Sequence, residues 1–150
     1  PHFRILRDSK KLIDSIKDKF GKNPNFIFED GVIPSEYFHN SICMISDWSG
    51  ISMEYAFTCE RSVIFIDVPK KILNPDVNDL SLEPIETSLR NKIGYIVSPE
   101  NIENIPTIIK NFESDVPNFS QQIKEIRTNI VFNVGNAAQV GAKYIQNLVS

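Results

Sequence analysis

The chain has 150 residues, 41% of them hydrophobic, and a formal net charge of −3. That is long enough for one domain with a substantial core and short for two ordinary ones, so the reading is a single domain over 1–150. With 16 Lys and Arg scattered among 19 Asp and Glu, there is no basic face of the kind that phosphate-backbone binding needs, which excludes nucleic acid as a partner.

From the amino end, Ile5, Leu6, Leu12, Ile13, Ile16 and Phe20 recur at three- and four-residue steps and predict one amphipathic helix, ended by Gly21. The apolar run "NFIFED" (25–30), between Pro24 and Gly31, predicts a strand over 25–29. The runs "SICMISD" (41–47) and "SVIFIDV" (62–68) are continuous rather than alternating, the pattern of parallel strands covered on both faces. A helix from about Gly50 to Cys59 lies between them and completes a βαβ unit.

Residues 70–83 are polar and irregular and predict a long functional loop. A short helix over 86–92 and a fourth strand, "GYIVS" (94–98), follow. Pro106 predicts a turn, with a helix over 104–112; Asn118 caps another, with Phe119, Ile123, Ile126 and Ile130 on one face. Gly135 ends that helix and Asn136 caps the last, which carries a small-residue stripe at Ala138 and Gly141. The alternation predicts an α/β fold, a Rossmann-like open parallel sheet with helices on both faces, which binds ligands beyond the carboxyl ends of its strands.

Cys43 and Cys59 give neither a disulfide framework nor a metal spacing, and read as reduced core residues of a cytoplasmic protein. His2 and His39, the only histidines, lack the neighbouring ligands of a zinc site, so no metal is expected. No apolar run approaches the roughly 18 residues of a membrane span, which leaves peripheral attachment to the inner face of the membrane open. The opening Pro1, with no cap before the first helical period, reads as a cut from a longer chain.

The stretch "MISDWSGISMEYAF" (44–57) carries the chemistry. It reads as a strand, a polar turn and a helix whose first amides have no intrahelical partner, a ready site for an anion. Gly50 lets a phosphate come close to the backbone, Ser49 and Ser52 add hydroxyl donors, and Glu54 is placed to accept from the two hydroxyls of a ribose. The structural alternative makes Ser49 a helix cap and Glu54 a partner of the helix dipole. Asp47 reads as a brace for the turn's amides and Trp48 as partial core. Lys70 and Lys71 fall on the ligand side of the third strand and Arg61 at its other end.

The segment "SDWSGISMEYAFTCERSVIFIDVP" resembles the CDP-glycerol glycerophosphotransferase family, the enzymes of teichoic-acid-type polymers and related bacterial surface polysaccharides. Ser46, Asp47, Trp48, Ser49, Gly50 and Glu54 fill the first part of its hallmark, and Arg61, Ser62, Val63, Ile64 and Phe65 the second, with Ser62 in place of proline. "PHFR" looks like the family's His-Pro segment, His2 matching and Phe3 departing, and "FNVGNAAQVGAKYIQNL" is similar to its closing helix.

The resemblance implies one half of a GT-B fold, the carboxyl-terminal donor-binding half, with the amino-terminal half absent. It implies a CDP-glycerol-type donor and no other cofactor, a polymer or lipid-linked acceptor, and His2 as a catalytic contact to the diphosphate. Ser49, Gly50 and Ser52 would hold phosphate and Glu54 the ribose. The turn is also similar to that of UDP-N-acetylglucosamine 2-epimerases and other GT-B glycosyltransferases, where a Ser-Gly pair holds phosphates, so a uridine nucleotide-sugar stays open. A non-catalytic signalling module of the receiver type, with Asp67 as phosphoacceptor, is the alternative from another class. "YIVSPEN" lacks the late lysine that such a module requires.

Overall fold

A computed structural model describes residues 3–31, 34–70 and 83–149. The chain divides into two compact units, Pro1–Asn40 and Ser41–Ser150.

The first unit is helical, with α1 (Phe3–Asp8), α2 (Lys10–Phe20) and α3 (Ser35–Asn40). The single helix expected from Ile5 to Phe20 is broken at Ser9, whose φ of −128° and ψ of 40° leave the helical region. The strand expected over 25–29 does not form. Its aromatic run packs locally instead: the Phe26 ring lies 5.5 Å from that of Phe20 and 6.5 Å from that of Phe28. Lys17 stands 4.5 Å over the Phe28 ring and pairs with Asp30 at 3.3 Å. Part of the apolar surface that suggested a sheet strand, Phe26 and Phe28, is taken up at the end of α2, while Ile27 is exposed.

The second unit holds β1 (Met44–Ser46), α4 (Ile51–Cys59), β2 (Val63–Ile66), α5 (Ile85–Ser88), α6 (Arg90–Ile93) and β3 (Gly94–Val97). A 3-10 helix (Pro99–Asn104), α7 (Ile105–Ile130) and α8 (Ala137–Val149) follow. The three strands form one parallel sheet in the order β1-β2-β3, with Ile45 opposite Ile64 and Ile64 opposite Tyr95. The fold is therefore α/β, built on three of the four expected strands.

Val63, Ile64 and Phe65 are at most 1% exposed, so β2 is covered on both faces, and its continuous apolar run follows from that. Ile105, Ile108, Ile109 and Phe112 of α7 pack with Ile64, Tyr95 and Val97 on one face. By strand alternation Phe65 points to the other face, where the Arg90 guanidinium of α6 lies 5.1 Å from its ring. Gly94 has to be glycine for a steric reason: a Cβ there would stand 1.9 Å from the Val63 carbonyl oxygen.

The two helices expected across 104–130 are one. Pro106 falls at the first turn of α7, where a missing amide costs nothing, and the break expected before it is present, since the preceding turns form a separate 3-10 helix. The carboxyl end of α4 is tied to α7. Glu60 adopts a left-handed conformation there (φ 55°), and Arg127 donates to the Phe57 carbonyl and pairs with Glu60 at 2.9 Å. Among the described residues, no helix is long and apolar enough to cross a membrane.

Candidate functional site

The turn Asp47–Gly50 leaves the carboxyl end of β1 and enters α4 directly. Gly50 already has helical angles, φ −60° and ψ −25°, so glycine is not needed for conformation. What it contributes is space. Only the Glu86 Oε1 comes near the position its Cβ would take, at 4.0 Å.

The serines divide the work differently from expectation. Gly50, not Ser49, is the N-cap of α4; Ser49 is exposed, and its side chain makes no hydrogen bond among the described residues. Its carbonyl instead accepts the Ser52 amide at 3.2 Å and the Ser52 hydroxyl at 2.7 Å. Ser52 is 1% exposed, and a hydroxyl buried to that degree requires such a partner. Ser52 thus braces the turn from inside, while Ser49 alone offers its hydroxyl to solvent.

The amides of Met53 and Glu54 are bonded to the Gly50 carbonyl at 2.9 and 3.4 Å. The helix-terminal donors that can serve a ligand are therefore those of Gly50 and Ile51, not the longer row expected from the sequence. Glu54 lies in the first turn of α4 and is exposed. Asp47 is exposed too, and among the described residues its carboxylate makes no hydrogen bond, so the bracing expected of it is done by Ser52 and Trp48.

Trp48 is held on two sides. Its indole N–H donates to the Val68 carbonyl at 2.8 Å, and the Arg90 guanidinium stacks on its ring at 3.7 Å. Arg90 is 3% exposed, pairs with Asp67 at 3.0 Å and donates to the Ile66 carbonyl at 3.4 Å; among the described residues its buried Nε has no partner. Lys70 stands 5.5 Å from the Trp48 ring and donates to the Thr87 hydroxyl at 2.8 Å.

Sequence reasoning missed Arg90. Within "SLRNKIG" it looks like any charge on a short helix. The one signal for it is Asp67 just beyond β2, an acidic group available to pair with a cation.

Ser49, Gly50, Ser52 and Glu54 are brought together at the start of α4, with Lys70, Glu86 and Arg90 around the same turn. His2 and Lys71 lie outside the described residues, and so does most of the expected loop over 70–83. His39 ends α3 in the other unit. Arg61 donates to the Ser41 carbonyl and borders a cavity of about 200 Å³ lined by Ile42, Ile109, Phe112 and Phe119 at the amino end of β2, away from the turn.

Both cysteines are free and half-buried, and burial pushes both thiols up, so neither is poised as a nucleophile. Among the described residues, no group of three His, Cys, Asp or Glu could hold a metal ion.

Chemically, the turn offers two backbone amides, an exposed hydroxyl and a nearby ammonium to an anion, with the Glu54 and Glu86 carboxylates able to accept from hydroxyl groups. Comparisons with protein-family models, with curated proteins and with solved structures return no match for this chain.

Proposed function

We propose that this chain is the donor-binding part of a transferase that moves glycerol phosphate, or a similar polyol phosphate, from a CDP-linked donor to an acceptor hydroxyl. The observation that carries the proposal is the β1-turn-α4 junction. It is a parallel-strand carboxyl end with an unobstructed Gly50, an exposed Ser49 hydroxyl and Glu54 in the first turn of the helix. In open α/β sheets such junctions receive the diphosphates of nucleotides.

In this reading the chain is the donor half of a GT-B arrangement, and a second, acceptor-binding half completes the site. The Gly50 and Ile51 amides and the Ser49 hydroxyl hold the diphosphate, Lys70 offsets its charge and Glu54 accepts from the ribose hydroxyls. The acceptor oxygen attacks the phosphorus that bears the glycerol. The bond from that phosphorus to the bridging oxygen breaks, and CMP leaves with the electron pair. The acceptor's proton passes to a base, a role the resemblance assigns to the neighbourhood of His2.

Gly50 favours a second reading, a uridine nucleotide-sugar site, because a Ser-Gly pair serves diphosphates there. Calorimetric titration with CMP, CDP, CDP-glycerol, UDP and UDP-N-acetylglucosamine distinguishes the two. Cytidine preference is expected, and Ser49→Ala should weaken CDP binding about tenfold, the value of one hydrogen bond to a charged phosphate. Clear uridine preference transfers the assignment to the second reading, and no binding of any nucleotide removes both. The signalling alternative needs Asp67 as phosphoacceptor, but that carboxylate is paired with Arg90. Acetyl phosphate is expected to leave it unmodified.

A further inference from the structure

We infer that Arg90 is a positioning residue for the nucleotide site, acting through Trp48 and not by touching the ligand. The inference rests on the donor-site reading above and goes beyond it by naming what fixes the shape of the turn.

One buried guanidinium connects three parts of the chain. It pairs with Asp67 at 3.0 Å and bonds the Ile66 carbonyl at 3.4 Å, both at the carboxyl end of β2. It also stands over the Trp48 ring, 3.7 Å from its centroid, immediately after β1. The Val68 carbonyl fixes the edge of the same indole at 2.8 Å. Trp48 is therefore clamped on one face and along one edge, and the next residues are Ser49, which offers its hydroxyl to the diphosphate, and Gly50 and Ile51, which offer their amides. An amide pair binds an anion well only if both N–H vectors are held in place beforehand, and the clamp supplies that constraint.

Core packing alone does not account for this residue. Burying a cation is costly, and replacement by an apolar side chain of similar volume is commonly neutral or stabilising. Arg90 is buried with a single carboxylate partner whose own side chain is 52% exposed, and with its Nε unsatisfied. A planar group with several donors can stack on Trp48 and bond two acceptors of β2 at once. Lysine has the charge without the plane, and methionine has the stem without either.

The test uses calorimetric CDP affinity together with the emission of Trp48, the only tryptophan. Arg90→Lys and Arg90→Met are each expected to bind CDP at least tenfold more weakly and to shift Trp48 emission to the red as the indole loosens. Arg127→Met, which removes an ion pair on α7, is expected to lower the urea midpoint and leave CDP affinity at the parental value, so general destabilisation does not imitate the effect.

Parental affinity in Arg90→Lys would overturn the inference, since charge alone would then suffice. Should the Arg90 variants fail to fold, Trp48→Phe removes the clamped indole and leaves the Arg90–Asp67 pair. It is expected to weaken CDP at least fivefold by calorimetry, and unchanged affinity overturns the inference equally. A parent that binds no nucleotide overturns the donor-site reading and this one together, whereas a binding parent with indifferent variants overturns only this one.

Discussion

The Ser52 hydroxyl donates to the carbonyl of Ser49 at 2.7 Å, three residues back along the chain and across the turn between β1 and α4. A side chain expected to hold phosphate is thereby committed to its own backbone, and the two serines separate into an inner brace and an outer donor.

That separation predicts opposite responses. Ser52→Ala leaves the Ser49 carbonyl one bond short inside a buried site and should destabilise the fold by about 1 kcal/mol. Ser49→Ala removes only an exposed hydroxyl and should change stability by less than about 0.5 kcal/mol while carrying the binding loss. Urea denaturation of the two variants checks this. Equal stability losses would mean that Ser49 is structural as well.

Glu60 links α4 to α7 and should make stability fall in acid. Its burial works to raise the carboxyl's pKa, but hydrogen bonds and charge from Lys124 and Arg127 outweigh that and hold it below its ordinary value. A carboxyl whose folded pKa is depressed contributes stability that is complete above the unfolded pKa and disappears as pH falls through the folded one. The parent should therefore lose its margin over Glu60→Gln below about pH 4.5 and keep it at pH 7. Urea midpoints measured from pH 7 down through the acid range follow the margin, and a margin that does not shrink as pH falls below about 4.5 would contradict the linkage.

Gly94 joins α6 to β3 where the chain runs against β2. With a Cβ 1.9 Å from the Val63 oxygen, Gly94→Ala has to displace a central strand, at a cost of at least about 2 kcal/mol. Thermal unfolding of the variant checks this. A normal melting temperature would mean that the junction has slack that the close approach does not suggest.

Patterns of burial are legible in the sequence where one strand decides them, and illegible where a distant partner does. The run "SVIFIDV" announces β2 because a strand covered on both faces has no polar side to display. "NFIFED" has a similar apolar character but packs on Phe20 and Lys17 of its own unit, a competition that periodicity cannot weigh. Pro106 marks a helix start legibly, but the sequence does not say that the helix begun there continues unbroken past Phe112 to Ile130. The residue types of the turn are legible. The direction of the Ser52 hydroxyl and the clamp from Arg90, 42 positions beyond Trp48, depend on tertiary contacts alone.

Glu54 should discriminate sugars and not phosphates. It is exposed in the first turn of α4, where the proposed site would put both a ribose and a diphosphate within its reach. Glu54→Gln should weaken CDP more than its 2′-deoxy analogue, because the amide gives up one of two good acceptors for the ribose hydroxyls. Equal effects on both nucleotides would assign the residue to the helix dipole.

Glu86 should oppose anion binding, and removing its charge should strengthen it. Its Oε1 lies 4.0 Å from the position of a Cβ on Gly50, so a phosphate that approaches the Gly50 amide meets a carboxylate at close range. Two like charges about 4 Å apart repel by roughly 1 kcal/mol in water and by more as water is excluded. Glu86 is half-buried, which makes the in-water figure a lower bound, equivalent to about a fivefold change in affinity. Glu86→Gln should accordingly bind CDP about fivefold more tightly at low salt, and the advantage should shrink toward about 0.5 M salt as the repulsion is screened. A variant that instead loses affinity for CDP and not for its deoxy analogue would identify Glu86 as the ribose acceptor, in place of Glu54.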